Sequence, residues 1–178
     1  MDADALNRLL DRLIGLSDSR LEALTPAAVA PFSGSDAETL RRHWADAEAL
    51  AVALHARHLE TLAGLIATAI DGMQPGRSRL QVAVEHFWDV CLTRVPIRRL
   101  IRGARRDPDI DDDLERRNRG FVHLLFSELS AMGMPNARAA AALLRVTVQA
   151  VAAEELQAGQ ARPDLRAALW QLMVPTPA

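Results

Sequence analysis

The chain has 178 residues, of which 49% are apolar, and carries 21 basic against 23 acidic side chains for a formal net charge of −2. That length suits one domain, or a large domain with a small head, and the apolar share is enough for a substantial core. The balanced charge excludes a global basic field, the lone Cys91 excludes an internal disulfide, and no apolar run approaches the roughly 20 residues needed to cross a bilayer.

The opening "MDADALNRLL" lacks the basic segment and apolar run of a signal peptide, so a cytoplasmic protein with no membrane partner is expected. Apolar periodicity is helical throughout and no β-branched alternation persists, which predicts an all-α fold of about nine helices. The first helix is expected from about Ala3 to Leu16, with Leu6, Leu9, Leu10, Leu13 and Leu16 on one face. A second starts at Thr25, with Pro26 in the first helical position, and fades near Pro31. A third covers Asp36 to Trp44, and a long fourth runs from Asp46 to about Ile70, stopped by "DG" and "QPG". "SRLQVAVEHFWDVCLTRV" makes a fifth and Pro96 to Ala104 a short sixth. Asp111, Asp112 and Asp113 suit the positive end of a seventh helix that runs to about Met132. An Ala-rich eighth follows from Ala137 to Ala158, and a ninth from Asp164 to Met173.

The stretch "TPAAVAPFSGSDAETLRRHWADAEAL", Thr25 to Leu50, carries the most specific pattern. It resembles, without a gap, the "TxxxIAxxAGVSKGTLYxHFxSKEAL" phrase of the TetR family of bacterial transcriptional regulators. Thr25, Val29, Ala30, Gly34, Thr39, Leu40, His43, Trp44, Glu48, Ala49 and Leu50 fall in register. "VPIRRLIRGARRDPDIDDDLERR" is similar to the same family's region from the fifth to the seventh helix. The resemblance implies a TetR-like fold: a helix-turn-helix DNA-binding head over residues 1–48, and an effector-binding and dimerisation domain over 49–178. It places Thr25 against phosphate, and Asp36, Ala37, Thr39, Arg41, Arg42 and His43 on or beside the helix that enters the major groove. The chain departs from the family's usual Ser-Lys-Gly at the start of that helix, having Asp36, Ala37 and Glu38, and residues 1–50 carry nine acids against five arginines. Such acids repel phosphate, although Asp and Glu can accept from cytosine N4.

In the larger part, the fifth helix carries Leu80, Val84, Phe87, Cys91 and Val95 at spacings of three and four. Stripes of this kind are core far more often than pocket. The resemblance implies an apolar effector pocket lined by His58, Leu62, Phe87, Cys91, Phe121 and His123. The eighth helix is apolar around most of its circumference, as a helix covered on two sides is. A homodimer through the last two helices is expected, with Leu143, Val146, Ala150, Leu165, Leu169 and Leu172 at the interface. His55 and His58 lack a third and fourth ligand, and Glu85, His86 and Asp89 do not form Glu-x-x-His pairs, so neither metal nor cofactor is expected. No Ser-His-Asp set or Gly-rich phosphate loop is present, so no catalysis is expected. The leading expectation is a repressor that binds operator DNA as a dimer and is released by a small apolar effector. The alternative is a protein of the same fold that has lost DNA binding and takes a small molecule, a lipid or a protein partner.

Overall fold

A computed structural model of the chain describes residues 2–15, 23–93, 101 and 110–173, with the backbone alone for 110–118 and 173. The fold is all-α: α1 is Ala3–Ile14, α2 Pro26–Ser33, α3 Ala37–Arg41, α4 Ala47–Ala69, α5 Arg77–Thr93, α6 Ile110–Ala131, α7 Ala137–Ala158 and α8 Pro163–Met173. Among the described residues there is no strand, and no helix is long and apolar enough to cross a membrane. The expected sixth helix over 96–104 lies outside the described residues except for Ile101, which is helical and buried.

The helix ends follow from local chemistry. Asp2 caps α1 by accepting the Ala5 N–H at 2.7 Å, and Thr25 Oγ1 caps α2 by accepting the Ala28 N–H at 3.2 Å. α2 runs two residues beyond Pro31, to Ser33, although the proline forfeits the bond to the carbonyl four residues back. The helix stops instead at Gly34, whose φ of +68° is the left-handed conformation that favours glycine. α3 is shorter than the expected span from Asp36 to Trp44. The His43 and Trp44 N–H groups both reach the Leu40 carbonyl, at 3.0 and 2.8 Å, and this tight turn ends α3 while carrying Trp44 into the core. Asp46 then caps α4 through the Ala49 N–H at 2.9 Å.

The chain forms two compact units, one of Met1–Thr61 with Arg94–Glu115, the other of Leu62–Thr93 with Arg116–Ala178. The division therefore falls inside α4 and not at residue 48. The first half of that helix belongs with the head because Leu50, Ala51 and Leu54 are fully buried in the same cluster as Leu9, Leu13, Val29 and Leu40. α1 is further tied to α4 by a two-bonded fork: Arg57 Nε donates to Asp11 Oδ1 at 2.7 Å and its terminal nitrogen to Oδ2 at 2.6 Å.

In the second unit, α5 turns Leu80, Ala83, Val84, Phe87, Trp88, Val90 and Cys91 inward. α6 and α7 answer with Leu125, Leu129, Leu144, Val148 and Val151. Two fully buried carboxylates complete this core. Glu128 of α6 accepts the Gly76 N–H at 2.7 Å and Arg79 Nε at 2.8 Å, while Arg79 also donates to the Met73 carbonyl at 3.2 Å. This clamps the loop between α4 and α5 onto α6. Glu155 of α7 accepts the Arg162 N–H at 2.9 Å and two bonds from Arg166 of α8, at 2.7 and 3.0 Å. α8 fully buries one large apolar side chain, Leu169, a contribution of roughly 1.5–3 kcal/mol. Ordering its backbone costs about 1–2 kcal/mol for each residue, so apolar burial alone does not hold it.

Candidate functional site

The head places its short helix α3 directly after α2, joined through Gly34, Ser35 and Asp36. Ser33 Oγ donates to the Ala30 carbonyl at 2.8 Å and accepts the Ser35 N–H at 2.9 Å, so the turn is stitched to the end of α2. Arg12 of α1 donates to the Phe32 carbonyl at 3.4 Å, a cation at the negative end of α2. One face of α3 is anchored by Leu40, at 0% exposure. The opposite surface presents Asp36, Glu38, Arg41, Arg42 and His43 to solvent, with Ala37 and Thr39 half-buried. Thr25 is also exposed, at the N-terminus of α2.

The polar groups of that surface are largely engaged with one another. Asp36 Oδ1 accepts the Thr39 N–H at 2.7 Å, and its Oδ2 accepts the Thr39 hydroxyl at 3.0 Å. The Thr39 backbone N–H, and after it the hydroxyl, stabilise the ionised form and hold the Asp36 carboxyl below its ordinary value. Arg41 pairs with Glu38 at 3.0 Å. Arg42 has no carboxylate partner among the described residues, and the His43 ring lies tilted at 59° to that of Trp44, their centroids 6.3 Å apart. The surface thus offers one guanidinium without an acidic partner, one imidazole, and two carboxylates.

In the second unit, Phe87 of α5 and Phe121 of α6 stack with centroids 5.4 Å apart and planes 18° from parallel. Cys91, one turn beyond Phe87 on α5, is buried. His123 stands apart from them: it is exposed, with Phe126 its nearest ring at 6.5 Å. Two residues along a helix is a rotation of about 200°, so the register that brings Phe121 inward turns His123 outward, and a lining role is not what its position supports. His58 and Leu62 are both buried, the first within the head unit and the second within the other. Two concavities among the described residues lie elsewhere. One of about 410 Å3 is bounded by Asp11, Gly15, Arg57, Glu60 and Thr61. The other, of about 450 Å3, is bounded by Ser78, Gln81, Val82, Glu85, His86 and Asp89. No group of three His, Cys, Asp or Glu suited to a metal occurs among the described residues.

The residues expected at a dimer interface divide into two sets. Leu143, Val146 and Leu172 are 67%, 55% and 83% exposed, and Ala150 is exposed beside them in the helical repeat of α7. Leu169, by contrast, is 2% exposed within the single chain. It belongs to the core of its own unit, because it shares the inner face of α8 with Arg166 and Trp170, and Leu165 is half-buried on the same side.

Among the described residues, Arg166 makes the most side-chain hydrogen bonds, and none of the sequence motifs marks it. Arg166 bonds Glu155 of α7, and its remaining nitrogen reaches Glu85 Oε2 at 3.0 Å and Asp89 Oδ1 at 2.9 Å, both on α5. Its guanidinium lies 5.1 Å over the Trp88 ring. Trp170 donates from Nε1 to Glu85 at 3.0 Å and meets Trp88 edge-on at 6.3 Å, while Trp88 Nε1 donates to the Val148 carbonyl at 2.9 Å. The hydrogen bonds to Glu155 come first in holding this guanidinium protonated beyond its ordinary range. A charged residue in phase with the apolar face was the available signal: Glu155 sits in step with Val148, Val151 and Ala152, a position that requires a buried counter-charge.

No family model matches the chain, and no curated protein matches it.

Proposed function

We propose that the protein is a TetR-like transcriptional regulator, a repressor that binds operator DNA as a homodimer and releases it when a small apolar effector binds. The observation that carries this reading is the head. Thr25 caps α2, Gly34 turns the chain, and Leu40 pins a short helix whose outer surface exposes Arg42 and His43. A helix-turn-helix needs that arrangement: a first helix whose N-terminus meets phosphate and a second whose exposed side chains meet base edges. The exposed Leu143, Val146, Ala150 and Leu172 support pairing of two copies through α7 and α8, since a monomer seldom leaves so many large apolar groups in water on adjacent helices. Two heads in a symmetric dimer would then occupy half-sites about 34–36 Å apart. The Phe87–Phe121 stack beside Cys91 supports an apolar effector of drug or short-acyl size in the larger unit, which would act by favouring one of two head spacings.

A second reading has its own observation. Asp36 holds both donors of Thr39 and Glu38 holds Arg41, so carboxylates face outward where phosphate would approach. This favours a protein of the same fold whose head no longer reads DNA and serves a protein partner or packing. Selection of duplexes from a random pool by the full chain, followed by binding of Arg42→Ala and His43→Ala, separates the two. A regulator enriches a two-fold symmetric site, and each variant loses affinity with an unchanged melting point. Failure of any duplex to be enriched transfers the assignment to the second reading.

A further inference from the structure

The helix α8 is fastened to the rest of its unit mainly through one side chain. Its inner face has a single fully buried apolar residue, Leu169, with Leu165 and Trp170 half-buried, and its outer face is exposed at Ala167, Ala168, Gln171 and Leu172. Against this modest burial stand five hydrogen bonds that converge on α8 from two other helices: four from Arg166, to Glu155, Glu85 and Asp89, and one from Trp170 to Glu85. The contacts are unequal. The Glu155 side chain is fully buried and the guanidinium 13% exposed, so that bond is sheltered from solvent, whereas Glu85 and Asp89 are 34% and 63% exposed. The planar fork also rests on Trp88, a geometry that an ammonium cannot reproduce. A helix held by a few polar contacts and little apolar area opens locally before its neighbours do.

We propose that Arg166 is an ionic latch: its engagement with Glu85, Asp89 and Glu155 decides whether α8 is docked or released, and docking of α8 is the step that makes the chain competent to dimerise. The first half stands on the contacts alone; the second rests on the reading of α7 and α8 as the pairing surface. Released, α8 withdraws Leu172 and uncovers the seam of α5 and α7 over Trp88. Docked, it presents its outer face beside that of α7. Arg166 is thus a positioning residue for the interface, since it is turned inward and touches no second copy.

The test combines two readouts on the full chain. Hydrogen exchange of Arg166→Met should show amides of α8 exchanging faster than in the parent by on the order of tenfold or more, with α5, α6 and α7 still protected. Sedimentation of the same variant should show the dimer dissociation constant raised by about tenfold or more. Arg166→Lys restores the charge without the fork and should recover protection of α8 only in part. Should Arg166→Met unfold the unit, Trp170→Phe, which removes the bond to Glu85 and trims the edge contact with Trp88, should give the same pattern in smaller measure. Parent-like protection of α8 in both Arg166→Met and Trp170→Phe overturns the latch. Loss of protection with an unchanged dimer constant overturns its control of pairing. A parent chain that is monomeric removes the dimer reading and with it that control, while exchange in α8 still decides the latch.

Discussion

Glu38→Gln separates the cost of an ion pair from its effect on function. The pair with Arg41 is exposed on both sides, 51% and 67%, with an i,i+3 spacing. Pairs of this kind contribute about 0.2–0.5 kcal/mol, so the substitution should leave the melting point within a degree or two of the parent. Its effect on DNA is larger. Glu38→Gln removes one phosphate-repelling carboxylate from each head and frees one guanidinium to contact phosphate. Two freed cations in a dimer steepen the plot of log K against log salt by about 1.8, so between roughly 200 and 50 mM salt the variant gains an extra factor of about 12 over the parent. Fluorescence anisotropy on a random-sequence duplex at several salt concentrations measures this directly. Adding Arg41→Ala to the variant should return the slope to that of the parent. An unchanged slope in Glu38→Gln, or a steeper slope that survives Arg41→Ala, would refute the argument that Glu38 holds Arg41 from DNA.

Arg79→Met leaves Glu128 buried with only the Gly76 N–H. Breaking such a pair costs about 3–5 kcal/mol, a fall in Tm of roughly 6–20 °C, whereas Arg79→Met with Glu128→Leu together should recover most of it; calorimetry on the parent and the two variants checks both. Val146→Glu puts a charge at the centre of the exposed face of α7 and should give a folded monomer by sedimentation, whereas a dimer of parent affinity would place the interface elsewhere. Asp36 has a folded-state value depressed below its ordinary 3.8. Its cap therefore contributes fully above the unfolded value and is lost as pH falls through the lower folded one, so a carboxyl titration by NMR should find Asp36 still mostly ionised at the pH where an aspartate in an unfolded peptide is half-protonated. In Thr39→Val the value should rise only part of the way back, because the hydroxyl is lost while the backbone N–H remains; an unshifted value would show that the hydroxyl takes no part.

Local chemistry was the legible part of this fold. Thr25 and Asp46 announce helix starts by residue type alone, and the Leu9–Leu13 stripe of α1 is buried as its spacing requires, whereas the stop of α2 lies at Gly34 and not near Pro31. What escaped was decided across long separations. α3 ends at Arg41 because Trp44 is drawn into a core built by Leu13, Leu50 and Ile101, which no local propensity encodes. Leu169 looked like an interface residue because its stripe was visible and its own core partners were not. Glu155 meets Arg166 eleven positions later, and Arg166 meets Glu85 at a distance of 81 positions. For the head, residue identities were sufficient to nominate Thr39, Arg41, Arg42 and His43, but the pairing that sets Arg42 apart from Arg41 required coordinates.

The most direct test of the account is a titration of the full chain against a random-sequence duplex at about 50 mM salt, where electrostatic affinity is strongest. A regulator binds there as a dimer, loses affinity as salt is raised, and loses it further with Arg42→Ala. A chain that remains unbound at that salt concentration contradicts the assignment and leaves the carboxylate-faced head to a partner other than DNA.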